Sequence, residues 1–278
     1  MDKVCIFGIY EFIGFHLGKK FLEKGFSVEG IHLDTECDLF LEEKRLEVGR
    51  NANFNEKSFP LLEQNRETEV AIIPIYDWFM NYKEENLSYK KLFSEIIQFI
   101  KNESKTNFVF LLPVQLLTNW QHDKGMEETR NLLDQIKKLD QCIQYFYLPT
   151  IFGPWQPGSF LFQKELFNQL NNQNEQIEVR EWPFDAIFVD DLMTPIIERV
   201  ESGEAGSFLI ESGIPKSWEL CAEILQLDTG LGKVFDDVML KDTEGVTKIT
   251  IPEVTPYQEA LLAQKEHFAF IDKLIDFP

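Results

Sequence analysis

Short apolar runs alternate with longer amphipathic stretches over the first half of the chain. Val4 to Phe7, Ser27 to Leu33, Val70 to Ile75, Asn107 to Leu112 and Cys142 to Tyr147 read as strands. Between them, Phe15 to Lys24 and Leu39 to Val48 are helix candidates. Leu87 to Glu103 carries Leu92, Ile96, Ile97 and Ile100, and Lys124 to Leu139 carries Met126, Leu132, Leu133, Ile136 and Leu139. Those spacings place the apolar residues on one face of a helix. The helix candidate at Leu39 to Val48 lies in an acidic, mixed-polarity region from Asp34 to Asn65, and Asp77 to Asn86 reads as an aromatic-rich loop. Strands alternating with amphipathic helices predict a doubly wound parallel sheet with helices on both faces.

From Gly153 the texture changes. Pro154 and Pro157 bound a turn, and Ser159 to Leu170 predicts a helix. Gln176 to Glu181 and Ile187 to Val189 predict short strands. Asp190 to Glu201 predicts a helix whose acidic start suits the helix dipole. Trp218 to Gln226 predicts another, capped by Ser217, and Tyr257 to Ile275 a closing one, after short strands and loops from Leu227 to Thr255. The expected organisation is a Rossmann-type unit over residues 1–152 and a smaller α+β lobe over residues 153–278, packed on the first.

The first strand leads into Gly8, Gly14 follows six residues later, and a helix comes next. In a nucleotide-binding unit of this kind, glycines let the backbone approach a pyrophosphate seated on the helix N-terminus. The approach position here holds Glu11. A carboxylate about 4 Å from a pyrophosphate charge is repelled by roughly 1 to 4 kcal/mol. The turn is retained while its anion site is altered.

Composition narrows the partners. The 278 residues include 44% hydrophobic residues and 25 Phe, enough for a sizeable core. With 47 acidic against 27 basic residues the formal net charge is −20, which disfavours nucleic acid and anionic membranes. Cys5, Cys37, Cys142 and Cys221 are scattered without a C-x-x-C pair, as in a reducing compartment. No stretch has the length of a membrane span and the N-terminus enters a strand directly, so a cytoplasmic protein without a signal peptide is expected. His122 and His267 lack partners at metal-ligand spacing, no Ser-His-Asp set is apparent, and no metal is expected.

The run FGIYEFIGFHL from Phe7 to Leu17, with LEKGFSV from Leu22 to Val28, resembles the extended short-chain dehydrogenases, the NAD-dependent epimerase/dehydratase family. That family begins T-G-x-x-G-F-I-G-x-H-L. Four further segments resemble it in order. They are Phe108 to Leu112, Leu148 to Gln156, Asp185 to Leu192, and Gly203 to Leu220. The resemblance reaches about residue 220 and implies the family's fold, with NAD(P) held at Gly8, Glu11, Phe12, Ile13, Gly14 and His32. It also implies a homodimer formed by the helices over Leu87 to Glu103 and Lys124 to Leu139, bearing Lys90, Lys91, Glu127, Asp134, Lys137 and Lys138.

The departures fall on functional positions. Glu11 replaces the middle glycine, and His32, with Asp34 beyond it, stands where the family holds the ribose with an acid. Ile73 to Tyr76 replaces H-L-A-A. The strand-five Ser/Thr falls on Leu112 or Pro113, and the Tyr-x-x-x-Lys pair falls on Trp120 and Lys124. Trp120 has no phenol to exchange a proton. His16, Asp190 and Asp191 are expected to be structural. The implied function is that of a pseudoenzyme with a degenerate NAD(P) site, binding an unknown small molecule or protein. The alternative is an active NAD(P)-dependent epimerase, dehydratase or reductase using Tyr76, Tyr82 or Lys124; hydride-free chemistry is a third reading.

Overall fold

The structure is a computed structural model that describes residues 1–33, 40–58, 68–83, 87–103, 105–120, 124–139, 141–171, 180–227, 238–241 and 243–275. The first half contains β1 (Lys3–Phe7), α1 (Phe12–Glu23), β2 (Ser27–His32), α2 (Leu41–Val48), β3 (Phe54–Ser58), β4 (Val70–Pro74) and α3 (Ile75–Met80). It continues with α4 (Leu87–Asn102), β5 (Asn107–Pro113), a 3-10 turn (Val114–Leu117), α5 (Lys124–Ile136), β6 (Ile143–Leu148) and β7 (Thr150–Phe152). After these come α6 (Leu161–Asn171), β8 (Ala186–Phe188), α7 (Val189–Ser202), β9 (Gly206–Glu211), α8 (Ser217–Ile224), β10 (Val246–Thr250) and α9 (Tyr257–Ile275).

Eight strands form one sheet in the order β3-β2-β1-β4-β5-β6-β9-β10, and every neighbouring pair is parallel. Every residue of β4 and β6 is buried, as is all of β1 and β5 beyond the first residue. Strands covered on both faces cannot alternate apolar with polar, which is why they read as continuous apolar runs. Val4 pairs with Val28 on one side and with Val70 on the other, which sets the start of the chain inside the sheet, third from the β3 edge. Strands β9 and β10, both from beyond residue 153, continue this sheet past β6. A second, two-stranded parallel sheet pairs β7 with β8.

Several expectations need correction. Ile75 does not end a strand and Asp77 does not open a loop: Ile75 to Met80 is helical and entirely buried, so it has no polar face for periodicity to reveal. Helix α1 begins at Phe12 rather than Phe15, taking in the second half of the glycine turn. Val189 opens α7 instead of ending a strand. Strand β3 lies in the acidic region where the sequence offered only a helix; as an edge strand on β2 it has the polar sequence FNEKS. Ser217 is not a cap. It is the first residue of α8, after Lys216 in the left-handed region, and its hydroxyl donates to Asp185. Leu39, where the second helix was expected to start, Asp34, Cys37 and His122 lie outside the described residues, as does most of Gln176 to Glu181; Arg180 and Glu181 themselves are not in a strand.

The turn after β7 ties the C-terminal part to α1. His16 places Nε2 2.9 Å from the Pro154 carbonyl and Nδ1 3.3 Å from Asp190 of α7, a structural role. Asp191 accepts from the Thr255 backbone N–H at 2.8 Å and its hydroxyl at 2.6 Å. The Trp155 N–H donates to His267 Nδ1 of α9, and the rings lie edge to face. An acceptor nitrogen must be unprotonated, and burial drives the His267 pKa down to about 4. A histidine held below its unfolded value loses its stabilising contribution as pH falls from the unfolded midpoint near 6.5 towards the folded one. The melting temperature of the native chain is expected to drop more between neutral pH and about pH 5 than that of His267→Gln, measured by circular dichroism.

Candidate functional site

The turn between β1 and α1 is built on two glycines. Gly8 adopts a φ of 61°, and its carbonyl accepts the Glu11 N–H at 2.9 Å, closing the turn. A Cβ on Gly14 would lie 2.4 Å from the Gly8 carbonyl oxygen, so the start of the helix presses on the turn with no room for a side chain. Phe12 and Ile13 are fully buried, and the Phe12 ring meets His16 and Phe160 edge to face. Every N-terminal turn of a helix leaves backbone N–H groups without intrahelical partners.

Here two of them are met from a distance. The Asp77 carboxylate, on α3, accepts the Ile13 N–H at 2.9 Å and the Gly14 N–H at 3.2 Å. Asp77 is wholly buried. Burial, then the nearby Glu11 charge, pushes its pKa up to about 7 against the pull of the two N–H groups and Lys83. Asn81 closes α3 by donating its side-chain amide to the Asp77 carbonyl at 2.8 Å, which fixes the backbone that carries the carboxylate.

Glu11 sits at the N-cap position without capping the helix. Its side chain lies over Gly8, where a Cβ would come 2.8 Å from Glu11 Cγ, and Oε1 takes a 2.8 Å ion pair from Lys83. Both partners are largely shielded, at 17% and 15% exposure, so the pair is stronger than a surface one. The glycine turn is thus covered by Glu11, and Lys83 bridges it to the segment after α3.

His32, the position expected to hold a ribose, ends β2 inside a polar cluster. Its ring meets Tyr10 edge to face, and Nδ1 lies 3.5 Å from the Arg45 guanidinium. Tyr10 donates to Glu56 at 2.6 Å, and Arg45 pairs with the same carboxylate at 2.7 Å. Burial opposes ionisation of Glu56, but Arg45 and Tyr10 outweigh it and hold the carboxyl below its usual range. Lys44, buried on α2, donates to the Tyr10 carbonyl at 2.7 Å, so α2 grips the glycine turn from outside.

The positions mapped to acid/base chemistry lie at the end of β5 and beyond. Leu112 and Pro113 are the last residues of that strand, buried and without a hydroxyl. Trp120 is half-buried; its N–H donates to Thr118 Oγ1 and its carbonyl accepts from Arg130. Lys124 opens α5, and its side chain lies outside the described residues. Tyr76 is buried, its hydroxyl accepting the Ile151 N–H at 3.0 Å, and burial holds the phenol well above its ordinary pKa. The Tyr82 ring faces the Arg180 guanidinium at 4.2 Å, with Phe79 on the same cation at 3.8 Å. Among the described residues no group of His, Cys, Asp or Glu side chains is arranged to hold a metal, and no helix is long and apolar enough to cross a membrane.

Sequence reasoning missed Asp77, Lys83 and Arg180. For Asp77 there was a signal: it is the one charge in the apolar run from Val70 to Met80. Arg180 and Lys83 stand in polar stretches and carried none.

No protein-family model matches the chain, and no curated protein does. Solved structures do. The UDP-glucuronic acid 4-epimerase of Bacillus cereus, in complex with UDP-glucuronic acid and NAD, superposes with a TM-score of 0.68 at 15% identity, covering 97% of this chain and 99% of that one. The dTDP-glucose 4,6-dehydratase of Bacillus anthracis, in complex with NAD, gives 0.67 at 10% identity over 98% of each chain. WbmH of Bordetella bronchiseptica, in complex with NAD+, gives 0.65 at 16% identity, covering 97% and 98%. At these identities the likeness concerns the architecture, and this chain has the Rossmann-like α/β fold of the NAD-dependent epimerases and dehydratases.

Proposed function

We propose that this chain is a divergent member of the extended epimerase/dehydratase family that has given up hydride chemistry and works as a binding or regulatory protein. The observation that carries the reading is the Glu11–Lys83 pair lying over Gly8. A dinucleotide's pyrophosphate needs that approach clear and free of negative charge. The residues present therefore do not fit NAD(P): a carboxylate covers the turn, and the strand end that would meet the ribose is committed to Tyr10, Arg45 and Glu56.

The acid/base positions support the same reading. Trp120, Leu112 and Pro113 replace the groups that exchange the proton and hold the substrate oxygen in the family, and loss of a general acid/base alone costs roughly 10²- to 10⁴-fold in rate. The substitutes offered by an active-enzyme reading fare poorly. Tyr76 is buried with a raised pKa, and Tyr82 packs on Arg180. Lys124 alone has no described surroundings that speak against it. As a binding protein the chain would pair through α4 and α5, whose described outer faces include Lys91, Glu127 and Asp134, with Lys137 and Lys138 in the turn that follows α5. A dimer at tens of micromolar in light scattering is part of the proposal.

Titration calorimetry of the purified chain with NAD+, NADH, NADP+ and NADPH is expected to show no binding in the micromolar range. Nucleotide sugars are expected to undergo no oxidation, reduction or epimerisation with either cofactor. Micromolar binding of a dinucleotide, or turnover abolished by Lys124→Ala, would overturn the reading and make the chain a working enzyme.

A further inference from the structure

We infer that Asp77 is a built-in anion: at the start of α1 the α3 carboxylate takes the place that a diphosphate takes in a glycine-turn protein, and so keeps the turn closed. The inference rests on the preceding reading and adds the contact that does the closing.

Three observations carry it. The first is stereochemical. A helix start holds an anion through the N–H groups of its first turn, and the Ile13 and Gly14 N–H groups are already bonded to Asp77 at 2.9 and 3.2 Å. The second is the source of the carboxylate. An N-terminal turn is ordinarily capped by the residue immediately before it. Here that residue, Glu11, turns to Lys83, and the acceptor arrives from 64 positions away in sequence on a separate helix. The third is burial: Asp77 is 0% exposed and its carboxylate lies against α1, so an external anion cannot reach those N–H groups until α3 withdraws.

The charge balance agrees. Asp77 and Glu11 are both carboxylates at the turn, and Lys83 pairs with Glu11 while its charge also favours the Asp77 anion. A diphosphate entering this arrangement would meet two carboxylates and compete for N–H groups that are already satisfied. Removing both carboxylates relieves that repulsion, leaves Lys83 facing the turn, and frees the Ile13 and Gly14 donors.

The test is anion rescue in the full chain at about pH 8, above the Asp77 midpoint. The native chain, Asp77→Asn and Glu11→Gly/Asp77→Ala are melted with inorganic pyrophosphate, with NAD+, and with sulfate at matched ionic strength. The native melting temperature is expected not to respond to pyrophosphate beyond the sulfate control. The double variant is expected to melt lower, to recover with pyrophosphate, and to bind it at least about tenfold more tightly than the native chain. Asp77→Asn, which keeps one acceptor oxygen, is expected to fall between them. Should the double variant not fold alone, folding in pyrophosphate supports the inference, and failure there together with an unresponsive Asp77→Asn overturns it. A folded double variant no more responsive than the native chain also overturns it. Neither result touches the absence of NAD binding by the native chain, whereas micromolar NAD binding by the native chain sinks the preceding reading by itself.

Discussion

Gly14→Ala is expected to prevent folding or to reduce stability by about 3 kcal/mol or more, at the upper end of what forced overpacking costs. The added methyl would sit 2.4 Å from the Gly8 carbonyl oxygen and 3.3 Å from its carbon. Both are backbone atoms of a turn whose carbonyl is already engaged by the Glu11 N–H, so relief would require breaking the β1–α1 connection. Gly158→Ala is the matched control, because nothing lies within 4 Å of the Cβ it would add. Urea denaturation followed by circular dichroism should find the control close to the native chain. An undiminished midpoint for Gly14→Ala would mean that the turn can widen, and the close approach would lose its meaning as a constraint.

The second large effect is expected at Asp185, between the small sheet and α8. One of its oxygens accepts the Ser212 hydroxyl and, at 2.6 Å, the Ser217 hydroxyl; the other accepts the Ser212 N–H at 2.9 Å. Ser217 in turn accepts the Ala186 N–H at 2.8 Å, which ties the first residue of β8 to the start of α8. Asp185→Ala leaves these donors without an acceptor in a partly buried pocket. Hydrogen bonds to a charged group contribute about 1.5 to 3 kcal/mol each, and they do not add fully within one cluster. A loss of about 3 kcal/mol is expected, read as a lower urea midpoint. A change within about 0.5 kcal/mol, the range of ordinary surface substitutions, would show that the cluster is not a structural joint.

The central strands were legible because burial on both faces leaves them largely apolar, and α4 and α5 because each has one apolar, buried face. The last helix was bounded correctly at Tyr257 and Ile275, where an amphipathic run stands clear of its neighbours. What escaped obeyed a different rule. Helix α3 is six residues, all buried, and its apolar side chains carry no period. Strand β3 is an edge strand whose pairing with β2 is a matter of backbone register, from Val28 with Phe54 to His32 with Ser58, and its side chains give no alternation. At the candidate site, the glycines and Glu11 were readable because their meaning is local. The role of Asp77 was not, since a carboxylate inside an apolar run declares that it has a partner and not where that partner is. The partner proved to be backbone N–H groups at Ile13 and Gly14, which no side-chain pattern can announce.

An all-parallel sheet that does not close leaves two rims with unpaired backbone groups, and such rims are templates on which further chains can align. The rims here are β3 and β10, and each bears a lysine in an ion pair with the strand inside it: Lys57 with Glu29 at 3.0 Å, Lys248 with Glu211 at 2.7 Å. A strand from another molecule would have to strip water from these charges before gaining its first ladder bond. In a crowded solution a charged lysine at either margin, among the described residues, therefore works against growth into fibrils by the adding of one sheet to the next.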